Sequence, residues 1–350
     1  MDNQSTEFFY SILIPVRNTK QYIEQCLDSV LIQKYKNFEV IIIDNESDDG
    51  SEAIIDTYAE SDKRIKVVHQ KNAGLLMSRR KALSMAKGDY ICFLDSDDYW
   101  HENFLSIVNN TLNENDFDML VVGYQEIDEK GHQIDNEDVP QLCQNYQSNN
   151  IGEFFLQMMG HPILNNLWLK VVKRECFDLK LDDEYLKLGH VNGTEGAIQS
   201  LEILQRVKSI RCIPNEKLYM YRIRQSSTIH NGAMKYFREC KQYHKFLFEF
   251  MSNNLQDNYY ALAENLHIPM ARFAIFSVIR NIVLSDQSYS KKKNELKEII
   301  NDEMFEYAVK DIKKPSNNRE AILWLTKKRL FMFLTIIISL YSKKAVKNDK

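Results

Sequence analysis

Residues 38–51 read FEVIIIDNESDDGS. The run FEVIII (38–43) is short and nearly all apolar, and it stops abruptly at Asp44 and Asn45. A surface strand would alternate, so an apolar run of this length bounded by polar residues predicts a strand buried on both faces. The same unit lies on either side of it. Upstream, FYSILIPV (9–16) ends near Pro15, and Ile23, Cys26, Leu27, Val30 and Leu31 follow at helical i, i+3, i+4, i+7, i+8 spacing. Downstream, a helix bearing Ile54, Ile55, Tyr58 and Ala59 leads to IKVV (65–68), then a helix through Leu83 and Ala86, then YICFL (90–94) ending at Asp95. Apolar strands alternating with helices predict an α/β fold: a doubly wound, mainly parallel sheet with helices on both faces, joined by right-handed crossovers. Ligands of such sheets sit beyond the carboxyl ends of the strands. Those ends carry Arg17 and Asn18, Asp44 and Asn45, and Asp95 to Asp98.

Further along, a helix is expected over 104–112, a strand over MLVVGY (119–124), a turn at Lys130 and Gly131, and short strands at 210–214 and 218–222. From about 234 strand signals fade and helices dominate, including 257–284 with Pro269 as a kink. Two parts are expected, 1–230 with the sheet and 231–350 with helices. The segment LFMFLTIIISLY (330–341) carries no charge and is flanked by Lys327, Lys328, Arg329, Lys343, Lys344 and Lys347. At about 1.5 Å per residue it reaches roughly 18 Å, short of the roughly 30 Å hydrocarbon core. Docking of 327–344 onto an anionic membrane surface and burial against the protein are both open.

The 350 residues carry 45 basic and 49 acidic side chains, a net charge of −4, and 44% are hydrophobic, which excludes a disordered chain and gives no global attraction for nucleic acid. Cysteines stand singly at 26, 92, 143, 176, 212 and 240, so neither a zinc pattern nor a disulfide framework is expected and a cytoplasmic setting fits. The first residues lack the pattern of a secretory signal.

The sharpest chemical signal is LDSDD (94–98) at the end of the fourth strand. Three carboxylates in four positions repel one another unless a cation sits among them, and Asp95 and Asp97 form a D-x-D pair of hard oxygen donors suited to Mg²⁺ or Mn²⁺ beside a phosphate. A solvated turn or a helix cap at Asp97 or Asp98 is the plainer use of the same residues. Asp44 and Asn45 have the chemistry to read a base edge or a ribose, whereas Asp48, Asp49 and Ser51 suit the cap of the next helix. Arg79 or Arg80 could face a diphosphate or be ordinary helix cations. Neither G-x-G-x-x-G nor G-x-x-x-x-G-K-[ST] is present, so a glycine cradle for a nucleotide is not expected.

Taken together, ILIPVRN (12–18), IIIDNESDDGS (41–51), KNAGLLMSRRKALSMAKGDYICFLDSDDYW (71–100), LWLKVVKRECF (167–177) and IPNEKLYMYRIRQSST (213–228) resemble family 2 glycosyltransferases, in the family's order and spacing over roughly 10–230. The resemblance implies a GT-A fold, a nucleotide diphospho-sugar donor, a divalent cation and inversion at the anomeric carbon. It implies that Pro15, Arg17, Asp44, Asn45, Arg79 and Asp95 bind the donor and that Asp95 and Asp97 bind metal. It also implies that Trp168 lies on the acceptor side, where it could equally be core. Asn45 replaces a second acidic residue, and its amide oxygen can still accept from a pyrimidine imide. The family's general base, an aspartate, falls on Gly196. Glu195 is the favoured substitute, with Asp182, Asp183 and Glu184 as alternatives, and Glu195 as a helix N-terminal charge is the structural alternative. His190, near Glu195, and His230, after the segment with Tyr221 and Arg222, are expected to be surface or hydrogen-bonded residues rather than ligands.

The resemblance therefore implies an inverting, metal-dependent hexosyltransferase that moves a sugar, from a UDP-sugar by preference, onto a hydroxyl of a glycan or lipid-linked glycan. A cytoplasmic enzyme peripheral to the inner membrane, building capsule or lipopolysaccharide, would fit the carboxyl-terminal segment. The rival is a catalytically silent nucleotide-sugar or glycan-binding subunit, motivated by Gly196.

Overall fold

All seven residues of β1 (Tyr10–Val16) and all eight of β2 (Phe38–Asn45) are buried, and they pair in parallel from Tyr10 against Phe38 to Val16 against Asp44. Ile12, Leu13, Ile14, Val40, Ile41, Ile42 and Ile43 retain no exposed surface. At about 1.5–3 kcal/mol for each fully buried aliphatic side chain, these two strands anchor the core. The computed structural model describes residues 6–134, 142, 145–188, 194–224, 233–255, 257–331 and 334, and the chain divides into two compact units, Met1–Ser227 and Thr228–Lys350.

In the first unit, β3 (Ile65–Gln70) lies on the far side of β2, and β4 (Tyr90–Phe93) pairs in parallel with β1. The crossovers are α1 (Ile23–Leu31), α2 (Ser51–Ser61) and α3 (Gly74–Met85), and the apolar stripe of α1 is buried as its spacing predicts. This is the expected parallel sheet. Beyond β4 it becomes mixed. β5 (Tyr99–Trp100), α4 (Phe104–Glu114) and β6 (Met119–Ile127) follow, then β7 (Asn145–Gln147), α5 (Ile151–Gly160), β8 (Lys170–Lys173), α6 (Asp182–Leu188), α7 (Glu195–Leu204) and β9 (Ser209–Arg222). The strand order is β3-β2-β1-β4-β8-β6-β9-β5, with β7 on β9. β8 runs antiparallel to both β4 and β6, whereas β9 runs parallel to β6 and antiparallel to β5 and β7.

The two strands expected at 210–214 and 218–222 are one. The register on β6 jumps from Val122 against Ile213 to Gly123 against Lys217, so Pro214 to Glu216 bulge out of the ladder. Gly123 permits this. A Cβ there would lie 2.1 Å from the Pro214 carbonyl oxygen.

The second unit packs α8 (Ala233–Asn254), α9 (Asp257–Leu284), α10 (Tyr289–Ile300), α11 (Glu303–Val309) and α12 (Asn318–Lys327) around Ile275, Ile279, Ile299, Ile322 and Leu323. Pro269 lies inside α9. Among the described residues, Tyr260–Leu284 is long and apolar enough to cross a membrane, with mean hydropathy 1.3, yet half of it is buried within the protein and it forms the centre of this core. Of the apolar segment 330–341, Phe331 and Leu334 are buried in the same core and most of the rest lies outside the described residues.

Candidate functional site

The carboxyl ends of β1, β2 and β4 converge, as a parallel sheet requires. Two loops form one wall. After β1, Arg17 is exposed and Asn18 takes a left-handed conformation, φ 53°, which asparagine tolerates. Its side-chain amide donates to Asp48 Oδ1 at 2.8 Å and its oxygen accepts from the Asp48 N–H at 3.0 Å. The Thr19 N–H donates to Ser51 Oγ and the Lys20 N–H to Asp49 Oδ2. Asp48, Asp49 and Ser51 thus tie the loop after β2 to the loop after β1. Asn18, Thr19, Lys20, Tyr22, Asp49 and Arg224 line a cleft of about 590 Å³ beside this wall.

Pro15 is buried within β1 opposite Ile43. Asp44 and Asn45 are nearly buried. Asp44 accepts from the Ser47 N–H and lies 2.9 Å from His69 Nδ1, whose Nε2 is 3.0 Å from Asp56. The hydrogen bond to Asp44, ahead of the one to Asp56, raises the His69 pKa against the cost of burial. The Asn45 amide donates to Asn72 Oδ1 and its oxygen accepts from the Ala73 N–H at 2.9 Å and from Gln70. Both ends of this amide therefore hold the turn that starts α3.

That turn aims Arg79 at the acidic cluster. Arg79 is buried and donates to Asp95 Oδ1 at 2.7 Å, while its buried Nε has no hydrogen-bond partner among the described residues. Burial opposes its charge, but Asp95 and then Glu195 outweigh it and raise its pKa. Glu195, at the first position of α7, is partly exposed and acts on the same guanidinium. Arg80, one residue on, points elsewhere. It is fully buried and pairs with Glu202 at 2.9 Å and Asp182 at 2.5 Å. Asp182 is thus engaged by a structural cation, Asp183 is exposed, and the Glu184 side chain, His190 and His230 lie outside the described residues.

The acidic residues after β4 divide their work. Asp95 and Asp97 are partly exposed. Asp97 lies 2.7 Å from Arg224, just beyond β9. Burial raises the Asp97 pKa, Arg224 lowers it, and the charge of Asp95 raises it again. Asp98 is buried, accepting from the Tyr219 hydroxyl and the Arg222 N–H, both at 2.7 Å. Burial, with Asp97 and Asp95 alongside, pushes its pKa well above the usual carboxylate range. Arg222 donates to the carbonyls of Asp97, Asp128 and Glu129 and to Gln25, which leaves it no free face. Asp98, Tyr219, which also accepts from the Asp95 N–H, and Arg222 are therefore the frame behind the turn that carries Asp95 and Asp97.

Two hard, anionic oxygen donors separated by one residue, whose mutual repulsion and partial burial favour a counter-charge, fit a magnesium- or manganese-type ion. Asp98 is turned inward and does not belong to such a set. Among the described residues no third acidic, histidine or cysteine side chain completes a cluster.

Gly196 lies behind Glu195. A Cβ there would sit 3.1 Å from the Asn165 carbonyl oxygen, which already accepts from Ser200 Oγ at 2.9 Å. The Asn165 turn is itself held by Lys170, whose buried ammonium donates to the carbonyls of Leu164 and Asn166. Burial pushes the Lys170 pKa down to about 7. Trp168 is buried and stacks on Tyr219 at 4.3 Å and Tyr221 at 5.0 Å, so it is packed into the wall of the site. The Tyr219, Arg222 and Arg224 contacts were not anticipated from sequence. The alternating aromatic and basic residues of LYMYRIR (218–224) were the available signal.

A family model described as glycosyl transferase family 2 matches residues 11–178. The chain is 29% identical over 228 residues to EpsH of Bacillus subtilis (strain 168), covering 65% of this chain and 64% of that one. It is 36% identical over 120 residues to glycosyltransferase GlyG of Streptococcus pneumoniae serotype 4, covering 34% and 40%. It is 26% identical over 312 residues to the uncharacterized glycosyltransferase EpsJ of Bacillus subtilis (strain 168), covering 86% of each. The alignment thus spans under two thirds of EpsH and GlyG. The crystal structure of S. aureus TarS 1–349 in complex with UDP-GlcNAc shares the fold, with a TM-score of 0.66 over 96% of this chain and 92% of that one at 15% identity.

Proposed function

Because the N-terminal unit of this chain belongs to glycosyl transferase family 2, we propose that the chain transfers a sugar from a nucleotide diphospho-sugar to a hydroxyl of a glycan or lipid-linked glycan. The observation that carries the proposal is the convergence of Asp95, Asp97 and the buried Arg79 at the carboxyl ends of the parallel strands. A UDP-sugar is the donor class we assign, since TarS, which shares the fold, binds UDP-GlcNAc. The base would lie against the loops after β1 and β2, with Pro15, Arg17, Asp44 and Asn45 forming its wall, Asn45 by fixing the turn into α3. Arg79, buried and fixed on Asp95, places its positive charge beside the diphosphate.

Asp95 and Asp97 would hold a Mn²⁺ or Mg²⁺ ion. Bound there, the cation supplies neutralisation of the charge that builds on the departing diphosphate. Arg79 adds to that stabilisation from a fixed position, the kind of preorganised charge that contributes most to such reactions. Glu195, on the same side of the site as Arg79, takes the proton from the acceptor hydroxyl as it attacks the anomeric carbon opposite the leaving group, which inverts the configuration. The tight approach of Asn165 to Gly196 accounts for the absence of an acid at 196. Trp168 supports the acceptor side from within by stacking under Tyr219 and Tyr221. The similarity of 126 residues, at 36% identity, to a putative teichuronic acid biosynthesis glycosyltransferase, TuaG of Bacillus subtilis (strain 168), supports a role in polysaccharide assembly.

The test screens the purified chain by thermal shift against UDP-, GDP- and dTDP-sugars with and without Mn²⁺, followed by donor hydrolysis. A true donor raises the unfolding temperature by mass action. Asp97→Ala is expected to abolish turnover with the fold intact. Absence of turnover of every donor by a chain that still binds UDP would overturn the enzyme assignment, and turnover undiminished in excess EDTA would remove the metal.

A further inference from the structure

Resting on the donor site proposed above, we propose that Arg224 is a resident cation of that site, pairing with Asp97 and yielding it to the divalent ion, so that it sets the affinity for that ion by competition. Three arginines surround the acidic cluster, and their situations differ. Arg79 is 3% exposed and enclosed by the protein, so it cannot leave Asp95 for solvent. Arg222 is committed to four acceptors on three segments. Arg224 is different. Its side chain is 31% exposed, it lines the cleft, and it is held by the ion pair with Asp97 and by the ring of Tyr22 at 5.9 Å. Its guanidinium can swing into solvent, whereas that of Arg79 cannot.

At Asp97 Oδ2 the two cations compete for one oxygen. Arg224 Nη2 lies 2.7 Å from Asp97 Oδ2. A divalent ion binds a carboxylate oxygen at about 2.0–2.6 Å and brings its own water or phosphate ligands. Beside a guanidinium on the same oxygen it would meet both steric overlap and repulsion between like charges. Asp97 therefore exchanges one partner for the other. Arg79 is buried and holds Asp95 through Oδ1, so Asp95 meets the ion through Oδ2 and the exchange takes place on Asp97 only.

The experiment titrates the full chain with Mn²⁺ alone and follows free Mn²⁺ by electron paramagnetic resonance, with no donor present. Arg224→Gln is expected to bind Mn²⁺ about tenfold more tightly than the parent chain, and Arg224→Lys, which keeps the charge, to stay within about threefold of it. Lys20→Gln removes another positive charge from the same cleft and reports the effect of charge alone, expected to be about twofold at moderate ionic strength. An Arg224→Gln chain no tighter than Lys20→Gln, or weaker than the parent, overturns the competition. Arg224→Ala serves as the second neutral variant should Arg224→Gln lose its thermal transition. Asp97→Asn is expected to weaken Mn²⁺ binding at least tenfold. If it binds Mn²⁺ as the parent does, the ion sits elsewhere and the donor-site assignment fails before the role of Arg224 is reached.

Discussion

Arg79 and Arg80 are adjacent in sequence, and replacing each by methionine separates the site from the scaffold. Arg80 is fully buried, pairs with Glu202, Asp182 and the Asp178 carbonyl, and packs over the Tyr185 ring at 5.1 Å. Methionine preserves the stem but leaves Glu202, 2% exposed, without its cation. Removing one partner of a buried pair costs about 3–5 kcal/mol. Glu202 keeps the Tyr185 hydroxyl at 2.7 Å and the Asp178 N–H at 2.8 Å, which favours the lower end, about 3 kcal/mol. For a unit of this size about 3 kcal/mol lowers the unfolding temperature by roughly 6–12 °C. Arg79→Met leaves Asp95 one quarter exposed, so water takes over part of the lost pairing and the loss of stability is expected to be under half as large. Its effect falls on donor affinity instead. Thermal and urea unfolding followed by circular dichroism, with UDP binding measured on the same samples, give both quantities. An Arg80→Met chain within about 1 kcal/mol of the parent, or an Arg79→Met chain destabilised as much as Arg80→Met, would refute the assignment of the two arginines.

Gly196→Asp restores the acid at the family's position, but its Cβ would meet the Asn165 carbonyl oxygen at 3.1 Å. We expect a loss of about 1 kcal/mol in urea unfolding and no gain in turnover; a several-fold gain would show that the backbone there yields. In the second unit, His244 Nδ1 and His267 Nε2 are 2.8 Å apart, and burial pushes their pKa values down to about 4 and about 3, with His244 lowering His267 further. Both bind protons more readily unfolded, near 6.5, so this unit is expected to lose stability as pH falls from about 6.5 toward 4. Replacing both by phenylalanine should flatten that slope in pH-dependent unfolding, whatever the absolute change at neutral pH.

Most of the parallel half was legible because burial on both faces leaves apolar runs with nothing else to explain them. Tyr10–Val16, Phe38–Asn45 and Tyr90–Phe93 follow the predicted strands, and the acids at their ends stand where the sheet's geometry sends them. The mixed half was harder. Lys170–Lys173 is four residues long, with basic ends, and its place between β4 and β6 is set by partners about 80 and 50 positions away. Ser209–Arg222 reads as two strands because the bulge at Pro214 to Glu216 interrupts its alternation. The division between Arg79 and Arg80, and the roles of Tyr219, Arg222 and Arg224, depend on hydrogen bonds and ion pairs spanning up to 197 residues, which local periodicity does not encode.

Asp98 draws both of its hydrogen-bond donors from Tyr219 and Arg222, whereas the matched family segment ends at residue 178. During synthesis the acidic turn leaves the ribosome more than a hundred residues before the strand that steadies it. An expression fragment trimmed at 178 would therefore retain the apolar sheet centre and lose the clamp behind the acidic turn. Any fragment meant to keep the acidic turn in place has to run through Arg222.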